Sequence, residues 1–146
     1  MGALALLYVL WPEKFPWLSP YLMFHDVPEA WVGDIPAPLK RYSATVRNEV
    51  NSLEEIILSR LKLPDPETLS PDDKQKLKAC DQLDLYLWAR EQETGGNLHA
   101  SCVVRELERF FAETPLPEPA HALFLEAKHG NVAHSTDQLT KDITNA

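Results

Sequence analysis

Twelve prolines punctuate this chain of 146 residues and decide where regular structure can run. Proline fixes φ and has no N–H to donate, so it starts or breaks helices and is excluded from central strands. Pro12, Pro16, Pro20 and Pro28 crowd the beginning, Pro36 and Pro38 follow Gly33, Pro64 and Pro66 precede Pro71, and Pro115, Pro117 and Pro119 close the set. Long helices therefore fit between residues 39 and 63 and between 72 and 114. Both intervals carry a helical apolar period. Val46, Val50, Leu53, Ile56, Ile57 and Leu61 mark one face of an amphipathic helix from about Lys40. Ser70-Pro71-Asp72-Asp73 is an N-cap followed by proline and acids that favour the helix dipole, and Gly95-Gly96 ends that helix beyond Glu93. Ala100, Val103, Val104, Leu107, Phe110 and Phe111 form the next stripe, and a last helix runs from about Pro119 to Lys128, stopped by Gly130.

The first residues read differently. Gly2 to Trp11 is apolar on every side, the pattern of a helix near the centre of a bundle, and it starts without a capping residue. The uncapped start predicts that the natural helix begins upstream of Met1. This stretch is too short to span a membrane and has no positive region before it, and Leu6 stands where lipidation at Gly2 would want Ser or Thr. Ser19-Pro20 reads as the start of a second helix, perturbed at Pro28 and ending near Gly33, with Asp34 to Pro38 an extended loop. No stretch has the period of two that a strand requires. The fold class is therefore all-α: one helical bundle of five or six helices over residues 1–130, followed by a polar tail over 131–146.

The formal charge of −8 leaves no bulk basic face for a phosphate backbone, which excludes duplex nucleic acid as a partner. Cys80 and Cys102 lack metal-type spacing and read as reduced core thiols of a cytoplasmic protein. Surplus apolar surface on the first helix predicts a homodimer, and no membrane partner is expected.

Chemistry concentrates between Phe24 and Pro36, where His25, Asp26, Glu29 and Asp34 fall within ten residues at the end of an apolar helix. Burying such groups costs several kcal/mol unless they are paired or bound to a metal. Two accounts stand side by side: His25 pairs with Asp26 or Glu29 at the surface, or these side chains ligate a cation. Mixed nitrogen and carboxylate donors suit Mn, Fe, Co, Ni or Zn, and all-oxygen sites suit Mg or Ca, so the metal's identity stays open.

The pattern His25-Asp26, Glu29, Gly33-Asp34 and Pro36 resembles the signature of HD-domain metal-dependent phosphohydrolases, in particular the bacterial 5′-deoxynucleotidase branch. Ala79-Cys80-Asp81-Gln-Leu83-Asp84-Leu-Tyr86-Leu87 looks like the later helix of that family, whose lone aspartate is a metal ligand, and the likeness runs from Met1 to about Leu107. The resemblance implies one divalent metal ion (Mn, Co, Fe, Ni, Zn or Mg) held by His25, Asp26 and Asp81. It implies Glu29 as the residue that orients or deprotonates water, and Asp34 as the acid that protonates the leaving oxygen. The family also has an earlier histidine ligand, whose expected place is a few residues before Met1, and this sequence carries none there. His99, His121, His129 and His134 lie on the wrong side of the pattern and read as surface or tail residues.

Other residues have a functional and a plain reading. Asp34 is also suited to an Asx turn after Gly33, and Glu29 to a surface ion pair. Asp84 lies one turn after Asp81, either solvated or supporting it. Lys40 and Arg41 either neutralise a phosphate or are simply exposed. Trp31 either lines the pocket or sits beside it, while Trp11 and Trp88 read as core. The implied function is metal-dependent hydrolysis of a nucleotide phosphate ester, with a (deoxy)nucleoside 5′-monophosphate first. The alternatives are nucleoside triphosphate or alarmone hydrolysis on the same ligand set, and a non-catalytic nucleotide- or protein-binding module.

Overall fold

The computed structural model describes residues 2–33, 40 and 42–130, and these contain helices and no strand. In chain order the helices are α1 (Ala3–Leu10), α2 (Phe15–Phe24), the single turn α3 (Glu29–Val32), α4 (Ala44–Leu61), α5 (Pro71–Thr94), α6 (Ala100–Glu113) and α7 (Ala120–His129). Among the described residues six of these have eight residues or more, which agrees with the all-α expectation. Loop 34–38 and tail 131–146 lie outside the described residues.

Helix α5 is the axis of the fold, with α1, α2, α6 and α7 packed against it. Its start follows from the sequence: the Ser70 hydroxyl accepts from Asp73 N at 3.1 Å, Pro71 fills the first turn, and Gly95 with Gly96 at φ 91° closes the far end. Leu77, Ala79, Cys80, Leu83, Tyr86 and Ala89 are buried along one side. Tyr86 meets Phe124 edge-on at 5.1 Å and Phe111 at 6.1 Å, and its hydroxyl donates to Glu108 at 2.9 Å. Edge-to-face pairs of this kind contribute about 0.5–1.5 kcal/mol each beyond their buried area. Burial, with Glu108 adding to it, pushes the Tyr86 phenol well above its usual range. Burial likewise pushes the Cys80 thiol up to about 12, which keeps it protonated and inert.

Four sequence expectations are corrected. Helix α1 is not central: Leu6, Leu7 and the following Trp11 are buried, whereas Tyr8 and Val9 are exposed. Packed against α2 and α5 alone, α1 cannot bury its whole circumference. Helix α2 does not start at Ser19-Pro20; it begins a turn earlier, with Pro16 in its first turn and Pro20 inside. Pro20 removes the hydrogen bond to the Pro16 carbonyl, and burial of Leu18 and Leu22 on the core side holds the helix across that gap. Cys102 is exposed, beside Arg105 at 3.4 Å, because its position on α6 faces away from α5. Trp88 is also exposed, on the side of α5 opposite the core.

Helix α4 starts at the Ser43 cap, whose hydroxyl accepts from Val46 N at 3.3 Å, and ends at Lys62 in the left-handed conformation. Its apolar face is only partly used. Val50 and Leu58 are buried and α4 packs on α3, but Leu53, Ile56 and Leu61 remain exposed.

One ion pair ties the α1–α2 corner to the start of α5: Lys14 Nζ lies 3.0 Å from Asp73 Oδ1. Lys14 holds the Asp73 carboxyl below its usual range, with burial opposing and the Ser70 hydroxyl assisting. A carboxyl whose pKa is lower folded than unfolded stabilises the fold above about pH 4, and that contribution is lost as the pH falls through the lowered value. Asp73→Asn and Lys14→Ala are each expected to lower Tm at pH 7. In thermal melts from pH 7 to pH 2, the gap between wild type and Asp73→Asn should narrow below about pH 4. A gap constant over that range would show that the ion pair contributes nothing.

Candidate metal and phosphoester site

Helix α2 ends where the site begins. The last carbonyls of a helix lack intrahelical partners, and here the His25 side chain supplies one: its Nδ1–H donates to the Leu22 carbonyl at 2.5 Å. A carbonyl only accepts, so this bond fixes the proton on Nδ1 and turns Nε2 outward. Nε2 then lies 2.9 Å from Asp26 Oδ1 and 3.9 Å from Asp81 Oδ1, the latter reaching across from α5. The chain continues through turns from Val27 N to the Phe24 carbonyl and from Glu29 N to the Asp26 carbonyl, with Pro28 fully buried beneath. Gly33 at φ 82° caps α3, a conformation that favours glycine, as the sequence indicated.

The electrostatics of this arrangement are one-sided. If the imidazole is protonated, Nε2–H donates to Asp26. If it is neutral, its Nε2 lone pair faces two carboxylates, an arrangement that becomes favourable when a cation shares them. Desolvation raises the Asp81 carboxyl above its usual range; His25 opposes this, and the charges of Asp26 and Asp84 add to it. The Asp81 side chain keeps 64% of its surface accessible, so the desolvation comes from standing at the wall of a concavity rather than from enclosure. One imidazole nitrogen with two carboxylates is a donor set that fits a first-row divalent ion. As they stand, however, no three or more His, Cys, Asp or Glu side chains among the described residues are grouped closely enough to hold a metal ion, Nε2 and Asp81 being 3.9 Å apart.

Asp81 also lines a cavity of about 320 Å³ along α5, with Asp84, Leu85, Trp88 and Glu91. At 100° per residue these positions share one side of the helix, roughly opposite Leu83, Tyr86 and Ala89. Sequence reasoning found Asp81 and Asp84 but assigned Trp88 to the core. The signal it lacked was the spacing 81, 84, 85, 88 and 91, a helical stripe in which three members are acids.

The remaining expected residues are distributed as follows. Glu29 opens α3, one turn beyond Asp26, and is partly buried. Asp34 lies outside the described residues. Trp31 is exposed on α3 and is not among the described residues lining the α5 cavity. Lys40 pairs with Glu54 at 3.5 Å, so its charge is already partly engaged by α4. Of the other histidines, His99 and His129 are exposed and His121 is partly buried beside Phe124, with ring centres 6.1 Å apart. His134 is outside the described residues.

An all-helical fold in which a His-Asp pair at one helix end faces an aspartate from a longer helix defines a protein of the HD-domain type. The profile of the 5′-deoxynucleotidase YfbR-like family matches residues 17–128, and the chain belongs to that family. Similar proteins include a 5′-deoxynucleotidase of Cronobacter sakazakii, 26% identical over 144 residues that cover 90% of this chain and 70% of that relative. A 5′-deoxynucleotidase of Photobacterium profundum is 29% identical over 77% of this chain and 63% of its own length. The 5′-deoxynucleotidase YfbR of Shigella flexneri is 31% identical over 51% of this chain and 44% of its own. Over these matches the chain spans between 44% and 70% of a relative's length. No solved structure matches the chain. Among the described residues, no helix is long and apolar enough to cross a membrane.

The carboxylates crowded at Asp26, Asp81 and Asp84 predict a trade between stability and site chemistry. A carboxyl whose pKa is higher folded than unfolded weakens the fold when ionised at neutral pH, and the loss is recovered as the pH falls through the raised value. In metal-free buffer at pH 7, Asp81→Asn is expected to melt above wild type, with the difference shrinking toward pH 4. A variant that melts below wild type at pH 7 would contradict this.

Proposed function

We propose that this chain hydrolyses the phosphate ester of a nucleotide, most directly a (deoxy)nucleoside 5′-monophosphate, with one divalent metal ion held by His25, Asp26 and Asp81. The observation that carries the reading is His25 Nε2 facing two carboxylates, Asp26 in the turn after α2 at 2.9 Å and Asp81 on α5 at 3.9 Å, with its other nitrogen pinned to the Leu22 carbonyl. The family match and the relatives named 5′-deoxynucleotidase support the reaction class. A divalent ion bound there supplies positive charge to a phosphoryl oxygen and lowers the pKa of its water toward neutrality.

The chain's own residues divide the remaining work. The Leu22 carbonyl keeps His25 in the tautomer that offers a lone pair at Nε2. Glu29, one helical turn past Asp26, accepts the proton of the attacking water. Asp34, next to Gly33, donates a proton to the leaving 5′ oxygen, which as an alkoxide leaves poorly without one. Trp31 and Lys40 flank the substrate, Lys40 exchanging its partner Glu54 for phosphate. The proposal places this chemistry in a 1–130 domain acting in the cytoplasm, as a homodimer that covers exposed Tyr8 and Val9 and with no nucleic-acid partner.

The test is hydrolysis of deoxynucleoside 5′-monophosphates by this chain in the presence of Mn²⁺, Co²⁺, Zn²⁺ or Mg²⁺, with products resolved. Inorganic phosphate as the product is expected, and Asp81→Ala should lower kcat/KM by more than about a hundredfold, since even outer-shell partners of metal ligands are worth 10–100-fold. Release of triphosphate or pyrophosphate from nucleoside triphosphates or alarmones instead would replace the substrate class. No turnover with any of these metals would overturn the reading for this chain.

A further inference from the structure

Among the described residues α4 is the long helix that the main core leaves out. Its buried Val50 and Leu58 do not belong to that core, and it packs mainly on the single turn α3. Leu53 and Ile56 are each 49% exposed although both are apolar. Their exposure is ordered along the helix. Glu49, Leu53, Ile56 and Arg60 follow one another at steps of 4, 3 and 4, the spacing by which one helix offers a seam to another. At about 100° per residue the four fall within roughly 60° of one another, to one side of the line through Val50 and Leu58. All four are exposed. Ser52 and Ser59 run alongside, also exposed, short and uncharged, so a second helix can approach closely.

The order of charge says what that helix is. The ridge carries an acid at one end, a base at the other and two apolar side chains of equal size between them. Among the described residues neither Glu49 nor Arg60 takes part in an ion pair, whereas Glu54 of the same helix is engaged by Lys40. A ridge of this form is complementary to its own reverse. With a twofold axis between Leu53 and Ile56, an antiparallel copy sets Leu53 against Ile56 of the partner subunit and Glu49 against Arg60 of the partner subunit, and the symmetry makes each contact twice. A parallel copy sets Glu49 against Glu49 of the partner subunit and Arg60 against Arg60 of the partner subunit, which repel. Charge therefore selects both the occupant and its direction.

We propose that this ridge is a docking surface on which a second copy of this chain lies antiparallel, with Leu53 and Ile56 at its apolar centre and Glu49–Arg60 pairs closing its two ends. The contact uses a different helix from the α1 face over Tyr8 and Val9, and it does not rest on the hydrolase reading. Sedimentation of the whole chain across a concentration series tests it. Because the four side chains are exposed, substitutions there should leave the helix content at its wild-type value. Glu49→Arg and Arg60→Glu should each weaken self-association roughly tenfold or more, since each brings two like-charged pairs together. Mixing these two variants should restore association, and so should both changes in one chain, because every pair is again opposite in charge. Leu53→Ser with Ile56→Ser should remove the contact. Variants that fall only to a dimer keep the α1 contact as well, and variants that fall directly to monomer make α4 the contact between copies in place of α1. A wild type that is monomeric throughout the series, single variants that associate as wild type does, or a double exchange that associates no better than either single variant would each overturn the proposal.

Discussion

Everything about the site depends on how α5 is held. Its buried side packs Leu83, Tyr86 and Ala89 against α1, α6 and α7, and the Tyr86 hydroxyl is tied to Glu108. Removing a buried leucine of this kind costs about 2–5 kcal/mol, so the rotation of α5 is fixed far more firmly than any polar contact on its other side could fix it. A helix fixed in rotation presents its opposite side at a set angle. Asp81, one residue past the fully buried Cys80, is aimed at the end of α2 for that reason. The acids thus sit in a mutually repulsive arrangement that the core maintains.

The second part of the site is local. His25 reaches its orientation by completing the helix end that carries it, through Nδ1–H to the Leu22 carbonyl. Such a bond needs no distant partner, so the ring's orientation does not depend on Asp81. The Lys14–Asp73 pair and the aromatic contact of Tyr8 with Phe15 then hold the α1–α2 corner against α5. Two independently fixed pieces, one helix end and one helix side, meet at Nε2.

Much of this was legible in the sequence because it is written in local chemistry. Ser70-Pro71 and Gly95-Gly96 bound α5, Gly33 ends α3, and the stripe from Ala100 to Phe111 marks α6. The His25-Asp26 pair and Asp81 were found as a set only through the family resemblance, since their proximity is tertiary. What escaped was what packing decides. Pro20 sits inside a helix because Leu18 and Leu22 gain more from burial than the lost hydrogen bond takes away. Trp88 and Cys102 face outward because the period of their helices carries them past the core. In α1 and α4, apolar residues exceed the surface available to cover them, so Tyr8, Val9, Leu53 and Ile56 remain exposed although their type predicts burial.

Under the proposed function, the end of α2 and the outer side of α5 supply His25, Asp26 and Asp81 to one divalent cation. Equilibrium dialysis of the purified chain against Mn²⁺ or Zn²⁺, followed by elemental analysis, tests it directly. The account predicts one ion per chain in the wild type and none in His25→Ala or Asp81→Ala, although each variant still folds. An ion retained by both variants, or none bound by the wild type, would contradict it.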